Sequence, residues 1–140
     1  MPAMAQTVVV SGGGSGIGRA VAVRLAGSTR HVTVVGRRTG PLEALAAAHP
    51  DTVDLVAADV STPDGAQHVS DHLAGSGHTC TGVVAAAGGL SPVSEPGDSL
   101  AAVAGGWQAA FRSNVLTAVL LVEALTPALR DASGRVVLLS

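Results

Sequence analysis

Lysine and tyrosine are both missing: the eight basic side chains among the 140 residues are all arginine. Chemistry that needs a Tyr or Lys side chain of this chain is therefore excluded. A single cysteine, Cys80, leaves no internal disulfide. Between Thr79 and Thr81 it has no second thiol for a metal, so it reads as inert packing in a cytoplasmic protein. Charged residues are scarce at 13%; set against 47% hydrophobic residues, that scarcity excludes intrinsic disorder. A net charge of −2 offers no electrostatic footprint for nucleic acid or an anionic membrane. No positive charge precedes an apolar stretch in residues 1–6, so a signal peptide is not expected. The longest apolar stretch, residues 115–122, is interrupted by Thr117 and falls short of the roughly 20 residues a bilayer span needs.

What is present is an alternation. Short β-rich apolar runs at 7–10, 31–35, 53–58, 82–87 and 135–139 read as strands. Between them, 17–26, 41–48, 63–74 and a long stretch over 100–130 read as helices. Gly105, Gly106 and Pro127 weaken the ends of the last one. Ile17, Val21 and Leu25 share one face of the first helix, and Pro63 suits a first helical turn. Residues 90–97 read as loop, with Pro92 and Pro96. Strands without polar alternation, joined by helices, predict a doubly wound parallel α/β sheet in one domain over residues 1–140.

The chemistry concentrates at two places. Ser11-Gly12-Gly13-Gly14-Ser15-Gly16-Ile17-Gly18 lies between the first strand and the first helix. Glycines there permit a tight turn and a close backbone approach. The amides that open the helix make an anion site suited to a pyrophosphate. The pattern G-x-G-x-x-G fits no register, and the phosphate loop of nucleoside triphosphatases needs a lysine. A merely flexible turn is the bland alternative. About 20 residues on, where an NAD site places an acid for the ribose 2′-hydroxyl, stand Gly36, Arg37 and Arg38. Guanidinium groups suit a 2′-phosphate, which favours NADP(H) over NAD(H). The competing reading is a pair of solvated charges opening a helix, where basic residues are unfavourable.

These residues carry a resemblance to the N-terminal part of the short-chain dehydrogenase/reductase family, over essentially all 140 residues. Ser11, Gly12, Gly16 and Gly18 match that family's T-G-x-x-x-G-x-G with Ser for Thr, and Asp59-Val60 matches its adenine-contacting pair. Ala85-Ala86-Ala87-Gly88 stands where the family has N-N-A-G, without both asparagines; Ala87 and Gly88 would lie along the cofactor, Gly88 permitting close approach to its ribose. Ser113-Asn114-Val115 matches the segment whose Asn helps organise the family's proton relay. A polar residue bonding locally within its helix is the alternative for Asn114.

The resemblance implies a Rossmann-like sheet of order 3-2-1-4-5 lacking the family's last two strands. It implies cofactor binding by Ser11, Gly12, Gly14, Ser15, Gly16, Ile17, Gly18, Arg37, Arg38, Asp59, Val60, Ala87 and Gly88, with Asn114 as the one member of the catalytic set. It further implies NADP-dependent hydride transfer between a small-molecule carbonyl and an alcohol. Ser140 would be the first of the family's two strand-end serines, the second being catalytic. The family's Tyr-x-x-x-Lys has no counterpart in this composition. The expectation is a cofactor-binding half cut short of its catalytic residues, inactive alone and prone to homo-oligomerise. A non-catalytic NADP(H)-binding protein, or a half-enzyme completed by another chain, is the alternative.

Other candidates are weaker. Of His31, His49, His68, His72 and His78, only His68 and His72 are spaced as a helical pair, and a solvated face explains them better than a metal, so no metal site is expected. Ser91, Ser94 and Ser99 lack a base, and Trp107 and Phe111 read as core or interface.

Overall fold

A computed structural model of the chain describes residues 5–28, 30–90 and 92–139. β-Branched residues, stiff about their first side-chain torsion and suited to a pleated surface, dominate β1 (Gln6–Ser11), β2 (His31–Gly36) and β4 (Thr79–Ala85), and Val53 and Val56 anchor β3 (Val53–Ala57). The last strand, β5, is Arg135–Leu138. All pair in parallel in the order β3-β2-β1-β4-β5, as the resemblance implies. The intervening helices are α1 (Gly16–Gly27), α2 (Thr39–Ala48), α3 (Pro63–Ser76), α4 (Leu100–Phe111) and α5 (Thr117–Asp131).

Successive strand residues face opposite sides of a sheet, so Val9 and Val10 feed two separate cores. Val9, Val35, Val56 and Val83 pack with Val69 and Leu73 of α3 and with Leu121, Leu125 and Leu129 of α5. Val10, Val32 and Val34 pack with Ala22 and Ala26 of α1 and Leu42 and Leu45 of α2. Burying each such Leu or Val contributes roughly 1.5–3 kcal/mol.

Several boundaries and faces differ from the sequence expectation. β4 starts at Thr79, three residues early, because Thr79 N–H donates to Ala5 O (2.9 Å) and Thr79 pairs with Gln6; it ends at Ala85, leaving Ala86 and Ala87 outside. In α1 the buried face is Gly18, Ala22 and Ala26, while Ile17 is 66% exposed. The smallest residues, not the largest, bring that helix onto the sheet. α2 begins at Thr39 and holds Pro41 in its first turn. α3 extends to Ser76 between two strong stops. The Thr62 hydroxyl accepts from Gly65 N–H at 3.1 Å, and Gly77 leaves the helix at φ +73.

The long helical stretch runs unbroken from Leu100 to Asp131, with a wide π turn at Arg112–Leu116 between α4 and α5. Gly105, Gly106 and Pro127 thus lie inside it. Gly106 is needed because the Val93 carbonyl packs where its Cβ would stand. By length and composition this helix could cross a membrane; here its α5 half lies on the sheet through Leu121, Leu125 and Leu129. Trp107 and Phe111 are exposed and do not join the core. β5 is an edge strand with Val136, Val137 and Leu138 exposed. The expectations for Ser91 and Ser140 fall outside the described residues.

Candidate functional site

Because β2 lies on one side of β1 and β4 on the other, the connections leaving the carboxyl ends of β1 and β4 diverge. In open parallel sheets that divergence opens a binding crevice. Here it holds an open cavity of about 590 Å³. Its wall comprises Gly12, Gly14 and Ser15 from the turn after β1, Arg37 and Arg38 after β2, Asp59, Val60 and Ser61 after β3, and Ala87, Gly88 and Gly89 after β4. Arg112, Ser113 and Thr117 close it from the long helix.

The glycine turn is built for close approach. Gly12 has φ +67, and a Cβ there would lie 2.7 Å from Ala86 O; a Cβ on Gly18 would strike Gly12 O. Gly16 needs its glycine for φ +55 alone, having open space around it. The first intrahelical bond of α1 runs from Arg19 N–H to Ser15 O (3.1 Å), so the amides of the preceding turn have no helical acceptor. Gly16, Ile17 and Gly18 do not themselves line the cavity. Ser11 lies buried behind it, its Oγ accepting from both Ala86 N–H and Ala87 N–H at 3.2 Å. One hydroxyl thus ties β1 to the segment after β4.

Asp59 is exposed, and its Oδ1 accepts from Ser61 Oγ–H (2.6 Å) and Ser61 N–H (3.0 Å). The Ser61 hydroxyl, then the Ser61 amide, hold its carboxyl below the ordinary range; slight burial opposes them, and the Arg37 and Arg112 guanidiniums add to the lowering. Val60, beside it, is buried in the α3–α5 core while still touching the cavity.

Asn114 sits in the π turn and clasps the loop after β4. Gly89 N–H donates to Asn114 Oδ1 (3.0 Å), and Asn114 Nδ2 reaches Gly89 O (3.1 Å), Ala110 O (3.0 Å) and Ser113 Oγ (3.0 Å). Asn114 thus bonds locally within its helix and also across to the loop after β4. Gly88 serves this contact: a Cβ there would stand 2.7 Å from Asn114 Oδ1. Thr117 Oγ1 lies within reach of Ala87 O (3.2 Å) and Ser113 O (3.0 Å). Single-turn π bulges recur at functional sites, and this one aims Arg112, Ser113 and Asn114 toward the strand ends.

Sequence reasoning passed over Arg112, Ser61 and Thr117. The signal for Arg112 was its place two residues before Asn114, on the same helical turn. A bare-backbone cradle, free amides, three guanidiniums and one carboxylate (Asp59) fit an elongated anionic ligand with a polar, uncharged portion, which describes a dinucleotide. Cys80, by contrast, is buried in the core, where burial raises its thiol pKa despite a contact with Gly82 O.

The model of the short chain dehydrogenases matches residues 6–140. Among solved structures, a short chain dehydrogenase/reductase from Saccharomyces cerevisiae is similar at 25% identity and a TM-score of 0.84, with 96% of this chain covering 53% of that one. A short-chain dehydrogenase from Streptomyces avermitilis is similar at 29% identity and TM-score 0.82, over 97% of this chain and 49% of that one. The L-sorbose reductase of Gluconobacter frateurii, solved with NADPH and L-sorbose, is similar at 27% identity and TM-score 0.81, over 96% and 51%. The chain spans about half the length of these structures. No curated protein sequence matches it.

Proposed function

Since the chain belongs to the short chain dehydrogenase family, we propose that it supplies the cofactor-binding half of an NADP(H)-dependent oxidoreductase that interconverts a small-molecule carbonyl and an alcohol. One observation carries the choice of cofactor: Arg37 and Arg38 line the cavity at the end of β2, where no carboxylate stands to engage a 2′-hydroxyl. A planar guanidinium forks onto phosphate oxygens. Gly12, Gly14 and Ser15 would hold the pyrophosphate against the turn, with Gly16, Ile17 and Gly18 supplying helical amides behind it and Ser11 fixing the turn. Asp59 and Val60 would border the adenine, and Ala87 and Gly88 the ribose. When bound, the cofactor supplies the hydride-transfer chemistry of the nicotinamide ring. Asn114 fixes the loop after β4, so its part in a proton relay would be to set that loop beside the reacting atoms.

With no tyrosine and no lysine, this chain brings no Tyr-x-x-x-Lys. We read it as inactive alone, its acid/base residues coming from further protein, in the same polypeptide or in a partner chain. That absence also favours the second reading, a non-catalytic NADP(H)-binding protein. Cytoplasmic residence and self-association belong to the same proposal. They are supported by the single buried thiol and by the exposed apolar edge of β5.

Titration of the chain with NADPH and NADH, followed by calorimetry, tests the reading. NADPH should bind at least about tenfold more tightly, and Arg37→Ala with Arg38→Ala should lose roughly tenfold to a hundredfold for NADPH but little for NADH. Equal affinity for the two dinucleotides overturns the cofactor assignment. Turnover of a ketone panel by this chain alone overturns its reading as inactive.

A further inference from the structure

At the amino ends of the strands, opposite the cavity, four residues distant in sequence meet under α3. His31 opens β2, Asp54 lies in β3, His78 precedes β4, and His72 reaches down from α3. One ligand-type atom from each of His31, Asp54 and His78 lies within 4.8 Å of the other two. His31 Nε2 is 3.8 Å from Asp54 Oδ1, and the His31 and His78 rings stand 3.9 Å apart, centre to centre. None of the three is fully exposed. Two polar atoms in the cluster are buried without a hydrogen-bond partner: Asp54 Oδ1 and His78 Nδ1. A buried oxygen and a buried nitrogen left unpaired in one place are costly, about 1–3 kcal/mol each.

The surrounding groups hold these atoms ready. Asp54 Oδ2 is engaged by His72 Nε2 at 2.6 Å, which leaves Oδ1 turned toward His31. On the other side, His31 Nδ1 lies 2.9 Å from Thr7 Oγ1, itself buried and 3.1 Å from Thr33 Oγ1. With the Nδ1 hydrogen directed to Thr7, Nε2 of a neutral ring presents its lone pair to the Asp54 carboxylate, and two lone pairs face each other across the gap. Outer hydrogen bonds that fix ring orientation in this way are a hallmark of metal-ligating histidines. Ligand atoms at tetrahedral angles around Zn²⁺, with bonds near 2.05 Å, sit about 3.4 Å apart, close to the 3.8 Å seen between Nε2 and Oδ1.

We propose that His31, Asp54 and His78 bind a divalent d-block cation such as Zn²⁺, with Thr7 and His72 orienting two of the ligands. Two imidazoles and one carboxylate match the ligand preference of Zn²⁺. His31 and His78 also border a hollow lined by Gln6, Arg30, Asp51 and Thr52, from which water or a small anion would complete the shell. A cation there links β2, β3 and the entry to β4, and it stabilises the folded chain by mass action. The site is independent of the cofactor reading, since it shares no residue with the cavity.

The test is titration of the untagged, metal-stripped chain with Co²⁺, read by visible absorption. The expected result is the intense d–d bands of a low-coordinate site, saturating at one equivalent and erased by one equivalent of Zn²⁺. Zn²⁺ alone should raise Tm by at least about 5 °C. His78→Gln and Asp54→Asn should abolish both effects, while His68→Gln, on the exposed face of α3, should leave them intact. Circular dichroism separates lost binding from lost fold. A Co²⁺ spectrum no different from the hydrated ion overturns the proposal, whatever the variants do. So do bands that survive in a folded His78→Gln or Asp54→Asn protein.

Discussion

At the scale of single residues, the turn after β1 separates two costs that glycine avoids. Gly16→Ala meets open space and pays only for a left-handed backbone, about 1–2 kcal/mol. Gly12→Ala pays that cost and also drives a methyl group onto the Ala86 carbonyl, so it should lose about 3 kcal/mol or more. Urea denaturation of the two variants should rank them in that order. Asp59 offers a titration test. Removing its principal donor with Ser61→Ala should return its pKa upward toward 3.8, followed by carbon NMR of its carboxyl group. The sign for stability follows from the lowering: what Asp59 contributes is fully present above 3.8 and is lost as pH falls through its depressed folded value. Ser61→Ala should therefore lower stability slightly near neutrality and leave it unchanged at pH below the folded value, so that the loss on acidification is smaller in the variant.

At the scale of elements, the wide turn joining α4 to α5 fixes the loop after β4 through one side chain. Asn114→Ala should cost about 1 kcal/mol and speed hydrogen exchange at the Gly89 amide, which then loses its acceptor. Glycine spacing after a β-branched run made the β1–α1 turn legible in the chain, because that geometry is local. The π turn was not legible, since residues 112–116 mix good helix formers (Arg112, Leu116) with weaker ones (Ser113, Asn114, Val115), and propensity does not distinguish a five-residue step from a four-residue one. The early start of β4 was hidden as well: Thr79, Cys80 and Thr81 look like a polar lead-in until Gln6 pairs beside them. The face of α1 was misjudged because a helix laid close to a sheet favours Gly18, Ala22 and Ala26 over larger neighbours. Reading His72 as solvated failed because its partner Asp54 is 18 residues away and on another element. Long-range pairs of this kind are set by strand order, which local pattern cannot supply.

At the scale of the whole molecule, a parallel edge strand with three exposed apolar residues is a template for further pairing. Trp107, Phe111 and Val115 expose further apolar surface on the long helix. Light scattering of the isolated chain should show association that rises with concentration. Leu138→Lys, which puts a charge on the edge, should shift it toward monomer without lowering the cooperativity of unfolding. All five strands also point one way, so the protein has a head and a tail, like an arrow. A tether attached at the tail, for instance through a cysteine introduced at Asp51, would leave the head facing outward. An array of such molecules on a flat support would thus display the mouths of their cavities in register, all turned to the solvent.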